Sequence, residues 1–213
     1  MKNSHWVPAA VLAALAAAPA HADWTGKGEL GLVLSRGNSD AETLNARIDT
    51  GTEIGKWTHA VGFSLLYATA QDVTTADRYE LRGQSNYKLT DRSFLFGALR
   101  YEDDEFSAFD YQGTASGGYG YKFIDTEATK FTGEIGPGYR VAEVKLTGDE
   151  ENEAVARGDI LFQHQLTPTT KLIEKFLVEA GSSNTFLQNE LAVEVKMTDK
   201  LALSVAYLVR HNT

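Results

Sequence analysis

The amino-acid sequence predicts an all-β fold, an antiparallel up-and-down transmembrane β-barrel of about 12 strands in the full protein, with about 11 present in this chain. Three observations predict it. Polar and apolar residues alternate along extended segments, as they do on a two-faced strand. These segments run roughly 11 to 16 residues, at or above the about 9–11 that cross a bilayer at a tilt. Tight turns alternate with longer polar connections, which is typical of outer-membrane barrels.

The N-terminus has the layout of a secretory signal peptide. Lys2 precedes an apolar run at residues 7–18, and Ala20-His21-Ala22 offers a small-x-small cleavage site. The run is too short for a spanning helix, although an uncleaved anchor is the alternative. We therefore expect a signal peptide at residues 1–22, followed by an outer-membrane β-barrel at residues 23–213.

Composition excludes several classes of function for the mature chain. Removing the first 22 of 213 residues takes away one Lys and no acid, which leaves 19 basic against 29 acidic side chains. This excess of acidic side chains argues against nucleic-acid binding, which depends on neutralising phosphates with basic side chains. There is no cysteine, so disulfides, thiol catalysis and cysteine-bound metals are excluded.

Residues 77–90 show the alternation most clearly. Arg78, Glu80 and Arg82 fall on one face, and Tyr79 and Leu81 on the other. The pattern is weaker at residues 93–102, where aromatics occupy both faces, and at residues 171–181, where Glu174 stands among apolar neighbours. Eleven strands are expected at about 24–36, 41–54, 57–70, 77–90, 93–103, 109–124, 128–141, 154–167, 171–181, 185–198 and 200–211.

An odd number of strands leaves an open edge, which lipid does not tolerate. Bacterial single-chain barrels have even numbers. We therefore expect the C-terminal strand to be missing, with strands one and eleven as neighbours across an unfilled seam. Pro137, between Gly136 and Gly138, predicts a bulge or kink.

The connections and the aromatic residues support a membrane barrel. Tight turns are expected near residues 55–56, 90–92, 125–127, 168–170 and 198–200, and longer loops at 37–40, 71–76, 103–108, 142–153 and 181–184. Aromatics cluster toward the strand ends as two interfacial girdles, with Trp24, Trp57, Tyr87, Phe94, Phe123 and Phe131 near the turns, and Tyr67, Tyr79, Tyr101, Phe109, Tyr111, Tyr139 and Tyr207 toward the loops. A soluble β-sandwich or lipocalin-like barrel is the alternative.

Two groups of charged residues are candidate functional residues. The first is an inward-facing set of both signs, which forms either a selective aqueous path or a mutually paired plug. Its members are Arg47, Asp49, Arg78, Glu80, Arg82, Lys130, Glu134, Arg140, Glu190 and Glu194. The second is an acidic rim that either attracts cations or is a solvated loop. It comprises Glu102, Asp103, Asp104, Glu105, Asp149, Glu150, Glu151 and Glu153.

Three segments resemble a known family. They are residues 100–121, which begin Arg-Tyr-Glu-Asp-Asp, the Glu-Ile-Gly-Pro-Gly-Tyr-Arg run at 134–140, and residues 31–44 with Ser-Arg-Gly-Asn-Ser. They are similar to the YdiY-like family of salt-induced outer-membrane proteins, a domain of unknown function. The resemblance spans nearly the whole mature chain and implies a barrel and its location, but no reaction.

No enzyme motif is found. His59, His164 and His211 are isolated, there is no Gly-x-Ser-x-Gly elbow, and no catalytic residue, metal site or cofactor is expected. The leading hypothesis is a small-solute or ion pore, or a structural barrel, in the outer membrane of a Gram-negative bacterium. Expected partners are outer-membrane lipids and lipopolysaccharide, the barrel-insertion machinery and periplasmic chaperones. The alternatives are an outer-membrane enzyme acting on lipid or lipopolysaccharide and a soluble periplasmic β-sheet binding protein.

Overall fold

The computed structural model describes residues 24–35, 41–198 and 201–213, so the predicted signal peptide lies outside the described residues. Eleven β-strands account for most of that chain. They are β1 (Trp24–Ser35), β2 (Ala41–Ile54), β3 (Trp57–Ala70), β4 (Val73–Lys88), β5 (Ser93–Asp104), β6 (Phe109–Asp125), β7 (Thr129–Val144), β8 (Glu150–Thr167), β9 (Thr170–Ala180), β10 (Thr185–Lys196) and β11 (Ala202–Asn212). Within the described residues, no helix is both long and apolar enough to span a membrane.

The strands form one sheet in sequence order, each antiparallel to the next. The sheet curls on itself, because side chains of its first strands reach its tenth. Lys27 of β1 contacts Glu194 of β10, and Arg47 of β2 donates to Glu190 of β10 over 2.8 Å. This is the curvature of a barrel around a lumen, and the predicted all-β, up-and-down fold class is confirmed.

The first and last strands are the two edges of this sheet. Among the described residues, β1 pairs only with β2 and β11 only with β10. Both edges are therefore unpaired, and the missing strand between them stays a prediction. The number of strands in the full protein stays a prediction.

Side-chain parity separates the wall of the barrel from its lumen. On β4, inward-facing Glu80 is 1% exposed, whereas outward-facing Tyr79 is 38% exposed. On β5, Arg100 is buried and its neighbour Leu99 is 65% exposed. An apolar outer face and a buried charged inner face suit a sheet whose solvent outside is lipid.

Two aromatic residues assigned to the girdles, Phe94 and Phe109, are buried, so the prediction that they belong to the outer girdles is wrong. At Phe109 the β6–β7 register shifts, which breaks the alternation there. Phe94 points into the lumen, as Phe96 does. The Phe94 ring fits inside the lumen because Gly120, opposite it on β6, has no side chain. A Cβ at Gly120 would overlap the ring.

The described connections at both ends of the barrel are short, and the ends differ in the charged side chains beside them. One end has Asp103, Asp104, Glu105, Asp149, Glu150 and Glu151, and the other has Lys56, Lys88, Arg92, Lys122 and Lys130. We call the end with connections 71–72, 105–108, 145–149 and 181–184 the acidic end, and the end with 55–56, 89–92, 126–128 and 168–169 the basic end. The predicted long loops at 71–76 and 142–153 are wrong, because β4 and β8 begin earlier than expected. Gln71 and Asp72 instead form a two-residue turn with φ of 51° and 62°, as the right-handed twist of a hairpin favours.

Of the predicted bulge or kink at Pro137, the bulge is absent and the kink stays a prediction. The register between β6 and β7 is the same on both sides of Pro137, at Ser116↔Gly138 and Tyr119↔Ile135. The two strands instead approach closely at Gly118 and Gly136, where a Cβ on either residue would lie 2.7 Å from the other's Cα. Glycine is required there because the neighbouring backbone occupies the space of a side chain.

Glu174, which interrupts the apolar pattern of residues 171–181, forms a polar pair on the outer wall. Glu174 of β9 accepts a hydrogen bond from the side-chain amide of Asn189 on β10. Their strand neighbours on the same face, such as Leu191 and Val193, are exposed and apolar. The carboxylate is therefore satisfied by a neighbouring strand despite its apolar surroundings.

Candidate functional site

Six charged side chains and one aromatic ring, from six strands, meet inside the lumen near the acidic end. We call this layer the plug, and it consists of Glu80, Arg100, Glu102, Arg140, Glu179, Phe186 and Arg210. Each residue sits on the inner face of its strand by parity, so period-two alternation brings all of them to the same enclosed space. Arg140, Phe186, Glu80 and Glu179 are each less than 2% exposed or at that limit.

Arg100 is the centre of the plug. Its Nη1 donates to Glu102 Oε2 over 3.1 Å, and its Nη2 donates to Glu179 Oε2 over 2.8 Å. The guanidinium carbon lies 3.9 Å from the centroid of the Phe186 ring, a cation–π stack. Thr114 adds a hydroxyl donor to Glu179 over 3.1 Å. Arg100 is thus held between two carboxylates and an aromatic ring.

Two further arginines tie the plug to the rest of the barrel. Arg210 of β11 contacts both Glu80 and Glu102, so the last strand is held across the lumen to β4 and β5. Arg140 donates to Glu153 Oε1 over 3.1 Å and to the backbone oxygen of Glu179 over 2.8 Å.

Glu153 also fixes the 181–184 connection. It accepts the backbone N–H of Ser183 over 2.8 Å and the hydroxyl of Ser182 over 3.2 Å. A carboxylate bound at once by arginine and by a loop amide holds that loop over the end of the lumen.

A second layer of ion pairs lies toward the basic end. Arg47 and Arg82 both donate to Asp49, over 2.7 and 3.0 Å, and Glu190 accepts from Arg47 and Lys175 over 2.8 and 2.9 Å. On the opposite wall Arg157 donates to Glu134 over 3.1 Å. Each carboxylate named in this layer is paired with a guanidinium or ammonium group. This pairing offsets the cost of burying its charge.

A cavity of about 970 Å³ occupies the remaining lumen. Its lining includes Lys56, Lys88 and Asp91 at the basic end, and Glu179 and Gln188 at its floor. At the mouth, the Lys88 ammonium donates to Asp91 over 2.8 Å, and this hydrogen bond lowers the pKa of the Asp91 carboxyl. The cavity is thus a vestibule that runs from the basic end to the plug.

The sequence-predicted lumen charges lie on the inner face, and the structure brings seven of them into the two layers. The seven are Arg47, Asp49, Glu80, Arg82, Glu134, Arg140 and Glu190. The other three lie outside the layers: Arg78 is 3.9 Å from Asp104, Glu194 contacts Lys27, and Lys130 is half exposed at the basic end, 3.9 Å from Asp125.

The predicted acidic rim does not form one surface. Glu102 and Glu153 are buried in the lumen, because they share the inward parity of their strands. Asp103 is on the outer face, where it accepts the Tyr79 hydroxyl over 2.8 Å. The other members remain at the rim, namely Asp104, Glu105, Asp149, Glu150 and Glu151.

Sequence reasoning missed the residues at the centre of the plug. Arg100, Glu179, Phe186 and Arg210 were not among the candidates, nor was Lys175 of the second layer. Arg100 shares parity with Glu102, so alternation alone would have identified it. The inward aromatics of β5 obscured that alternation. Nothing in the local sequence marks Phe186 as inward, apart from its parity with Gln188 and Glu190.

Two histidines contact hydroxyl groups on the outer wall. His59 Nδ1 lies 2.8 Å from Ser85 Oγ, and the ring stacks on Trp57 with centroids 5.9 Å apart. His164 Nδ1 lies 2.8 Å from Thr129 Oγ1. Among the described residues no three His, Asp or Glu side chains are grouped as metal ligands.

Comparison with known proteins places the chain in a family. The family model described as "Protein of unknown function, DUF481" matches residues 28–213. The "Uncharacterized protein YdiY" of Escherichia coli (strain K12) is 27% identical over 188 residues, covering 86% of this chain and 72% of that protein. The resemblance noted in the sequence is confirmed.

Two solved structures match most of the chain. The NanC porin is 12% identical, with a TM-score of 0.51 over 87% of this chain and 86% of that one. The translocator domain of the autotransporter NalP from Neisseria meningitidis is 13% identical, with a TM-score of 0.44 over 89% of this chain and 83% of that one. The first likeness shows the fold of a porin barrel.

Proposed function

Because the chain belongs to the DUF481 family of proteins of unknown function, we propose its role from the barrel itself. The proposed function is that of an integral outer-membrane barrel whose lumen is occluded at the acidic end. It is a structural barrel closed at rest, and solutes or ions pass only when the plug is displaced. The observation that carries this proposal is the plug, in which Arg100, Glu179 and Phe186 are 7%, 2% and 1% exposed.

The energetics of the plug support a closed state. A solute crossing it must separate Arg100 from Glu102 and Glu179, each at hydrogen-bonding distance. Breaking a buried ion pair by removing one partner costs about 3–5 kcal/mol, since the other charge is left uncompensated. For a solute to pass, the side chains of the plug must therefore rearrange, whereas the barrel need not widen.

Bilayer conductance tests the occluded state. Refolded wild-type protein is expected to show no steady current above the lipid background. Phe186→Ala removes the ring beneath Arg100 and is expected to produce discrete conducting steps. Phe123→Ala, an equal truncation on the exposed outer wall, is the control and is expected to remain silent. Steady wild-type current would contradict the proposal, and a refolded but silent Phe186→Ala variant would show that the barrier lies elsewhere.

The proposed location is the outer membrane, with the basic end in the periplasm and the acidic end outside, near lipopolysaccharide. The support is an apolar wall built of strands of 11 to 18 residues, long enough to cross a bilayer and extend beyond it. Assembly there would involve the barrel-insertion machinery and periplasmic chaperones.

Cysteine labelling in intact cells tests this location. The natural chain has no cysteine, so Leu146→Cys at the acidic end and Asp91→Cys at the basic end each introduce a single exposed thiol. A membrane-impermeant maleimide is expected to label the first variant in intact cells, and the second only after the outer membrane is permeabilised. The reverse pattern would invert the orientation. Labelling of neither variant, before or after permeabilisation, would argue against insertion.

One observation favours a lipid hydrolase as a second candidate, namely the 2.8 Å contact of Ser85 with His59 on the outer wall. A hydrolase also needs an orienting acid and free backbone donors for an oxyanion. Here β3 and β4 are paired in register through His59↔Ser85, so the local amides belong to the sheet ladder. The histidine's stacking on Trp57 fits an interfacial aromatic girdle better. Reaction of Ser85 with a fluorophosphonate probe, absent in Ser85→Ala, would favour the enzyme.

A further inference from the structure

The vestibule has a charge opposite to that of the chain as a whole. The chain carries a formal net charge of −9, yet the vestibule lining holds nine Lys and Arg side chains against seven Asp and Glu. Lys56, Lys88 and Lys122 stand at the mouth, and Arg82 and Arg157 lie deeper. Most of the acidic excess is therefore elsewhere, chiefly at the acidic end. A concave site with low-dielectric walls focuses such a field and concentrates ions of opposite sign.

The deep acids of the vestibule are already engaged. Asp49 accepts hydrogen bonds from both Arg47 and Arg82, and Glu134 accepts from Arg157. At the mouth, by contrast, Lys56 has a contact with the Tyr87 ring at 6.0 Å, and none of the ion pairs among the described residues includes it. An incoming anion thus meets a cation at the mouth that is not committed to a carboxylate.

The floor of the vestibule is formed by buried side chains of the plug. Gln188 Oε1 and Arg100 Nε have no hydrogen-bond partner among the described residues, but both atoms are fully buried and do not face the open cavity. Both residues line the cavity, and they are 9% and 7% exposed. Leaving a buried donor or acceptor without a hydrogen bond costs about 1–3 kcal/mol. A ligand in the cavity would recover that cost only if the plug side chains shifted to expose these atoms.

We propose that the vestibule is a binding site for small hydrophilic anions that enter from the basic end. The cations at the mouth attract the ligand, and Thr58, Thr90 and Ser93 add hydroxyl groups to the lining. The buried side chains of Arg100 and Glu179, which line the floor, stop the ligand at the plug. This inference rests on the proposed occluded barrel, because an open lumen would let the anion pass through.

Fluorescence anisotropy with the trianionic dye pyranine tests the site on the purified full chain in non-ionic detergent. We expect wild-type protein to bind the dye. We expect weaker binding at about 1 M salt, where the Debye length is about 3 Å. The double variant Lys56→Glu with Lys88→Glu reverses two charges at the mouth and is expected to weaken binding about tenfold or more.

The matched control reverses a lysine at the other end of the barrel. Lys145 contacts the backbone oxygen of Glu105 and lies 3.8 Å from Asp110. Lys145→Glu is expected to change dye affinity less than about twofold, because the Debye length is about 10 Å or less at ordinary salt. Equal losses in both variants would show only a general charge effect, and absent wild-type binding would likewise overturn the inference. Dye binding together with steady wild-type conductance would instead overturn the occluded barrel and leave the site intact.

Discussion

Replacing Glu179 with alanine is expected to destabilise the barrel by about 3–5 kcal/mol, the cost of removing one partner from a buried ion pair. Glu179 accepts from Arg100 over 2.8 Å and from Thr114 over 3.1 Å, and it lies 3.8 Å from Arg140. Its loss leaves two guanidinium groups facing each other in an enclosed space. The measurement is the urea dependence of the free energy of unfolding, followed by the fluorescence of Trp24 and Trp57 after refolding into detergent.

Two comparisons make the Glu179 result specific. Glu179→Gln keeps an oxygen that accepts from Arg100, so we expect a smaller loss than for alanine. Glu174→Ala removes a carboxylate from the outer face of the same strand, where the contact is with Asn189. We expect that change to cost no more than about 1 kcal/mol, the size of one ordinary hydrogen bond. If Glu179→Ala proved as mild as Glu174→Ala, the plug would not be a stabilising network.

The second large effect is expected at Gly118. An alanine Cβ there would overlap the backbone oxygen of Ile135 and lie 2.7 Å from the Gly136 Cα. Backbone atoms of a paired strand cannot swing aside as a side chain does. We therefore expect Gly118→Ala to destabilise the barrel by about 3 kcal/mol, or to prevent folding, at the upper end of the cost of overpacking.

The readout for Gly118→Ala is the fraction of chain that migrates as folded barrel on unheated SDS gels, together with its urea midpoint. Gly97→Ala provides the control, because a Cβ at that strand position has nothing within 4 Å. We expect the control to fold as wild type does, or to gain up to about 1 kcal/mol from a stiffer unfolded chain. Normal folding of Gly118→Ala would mean that β6 and β7 are not so closely apposed.

Sequence alone determined the wall of this protein. Alternation with a period of two is a local property, so residues 77–90 were enough to assign Arg78, Glu80 and Arg82 to one face and Tyr79 and Leu81 to the other. The eleven strands follow from the same local signal, and their bounds differ from expectation chiefly at the start of β4 and β8. The pattern failed at β5, because inward Phe94 and Phe96 resemble wall residues.

Only the tertiary structure decided what the lumen contains. Parity tells which face a charge occupies, but its partner depends on how strongly the sheet curls and on how the strands are staggered. Arg100 and Glu179 are 79 residues apart in the chain, and Arg210 and Glu80 are 130 apart. Such pairs meet only because a curved sheet returns its last strands to face its middle ones. The same long-range closure buried Glu102 and Glu153, which local sequence had assigned to an exposed rim.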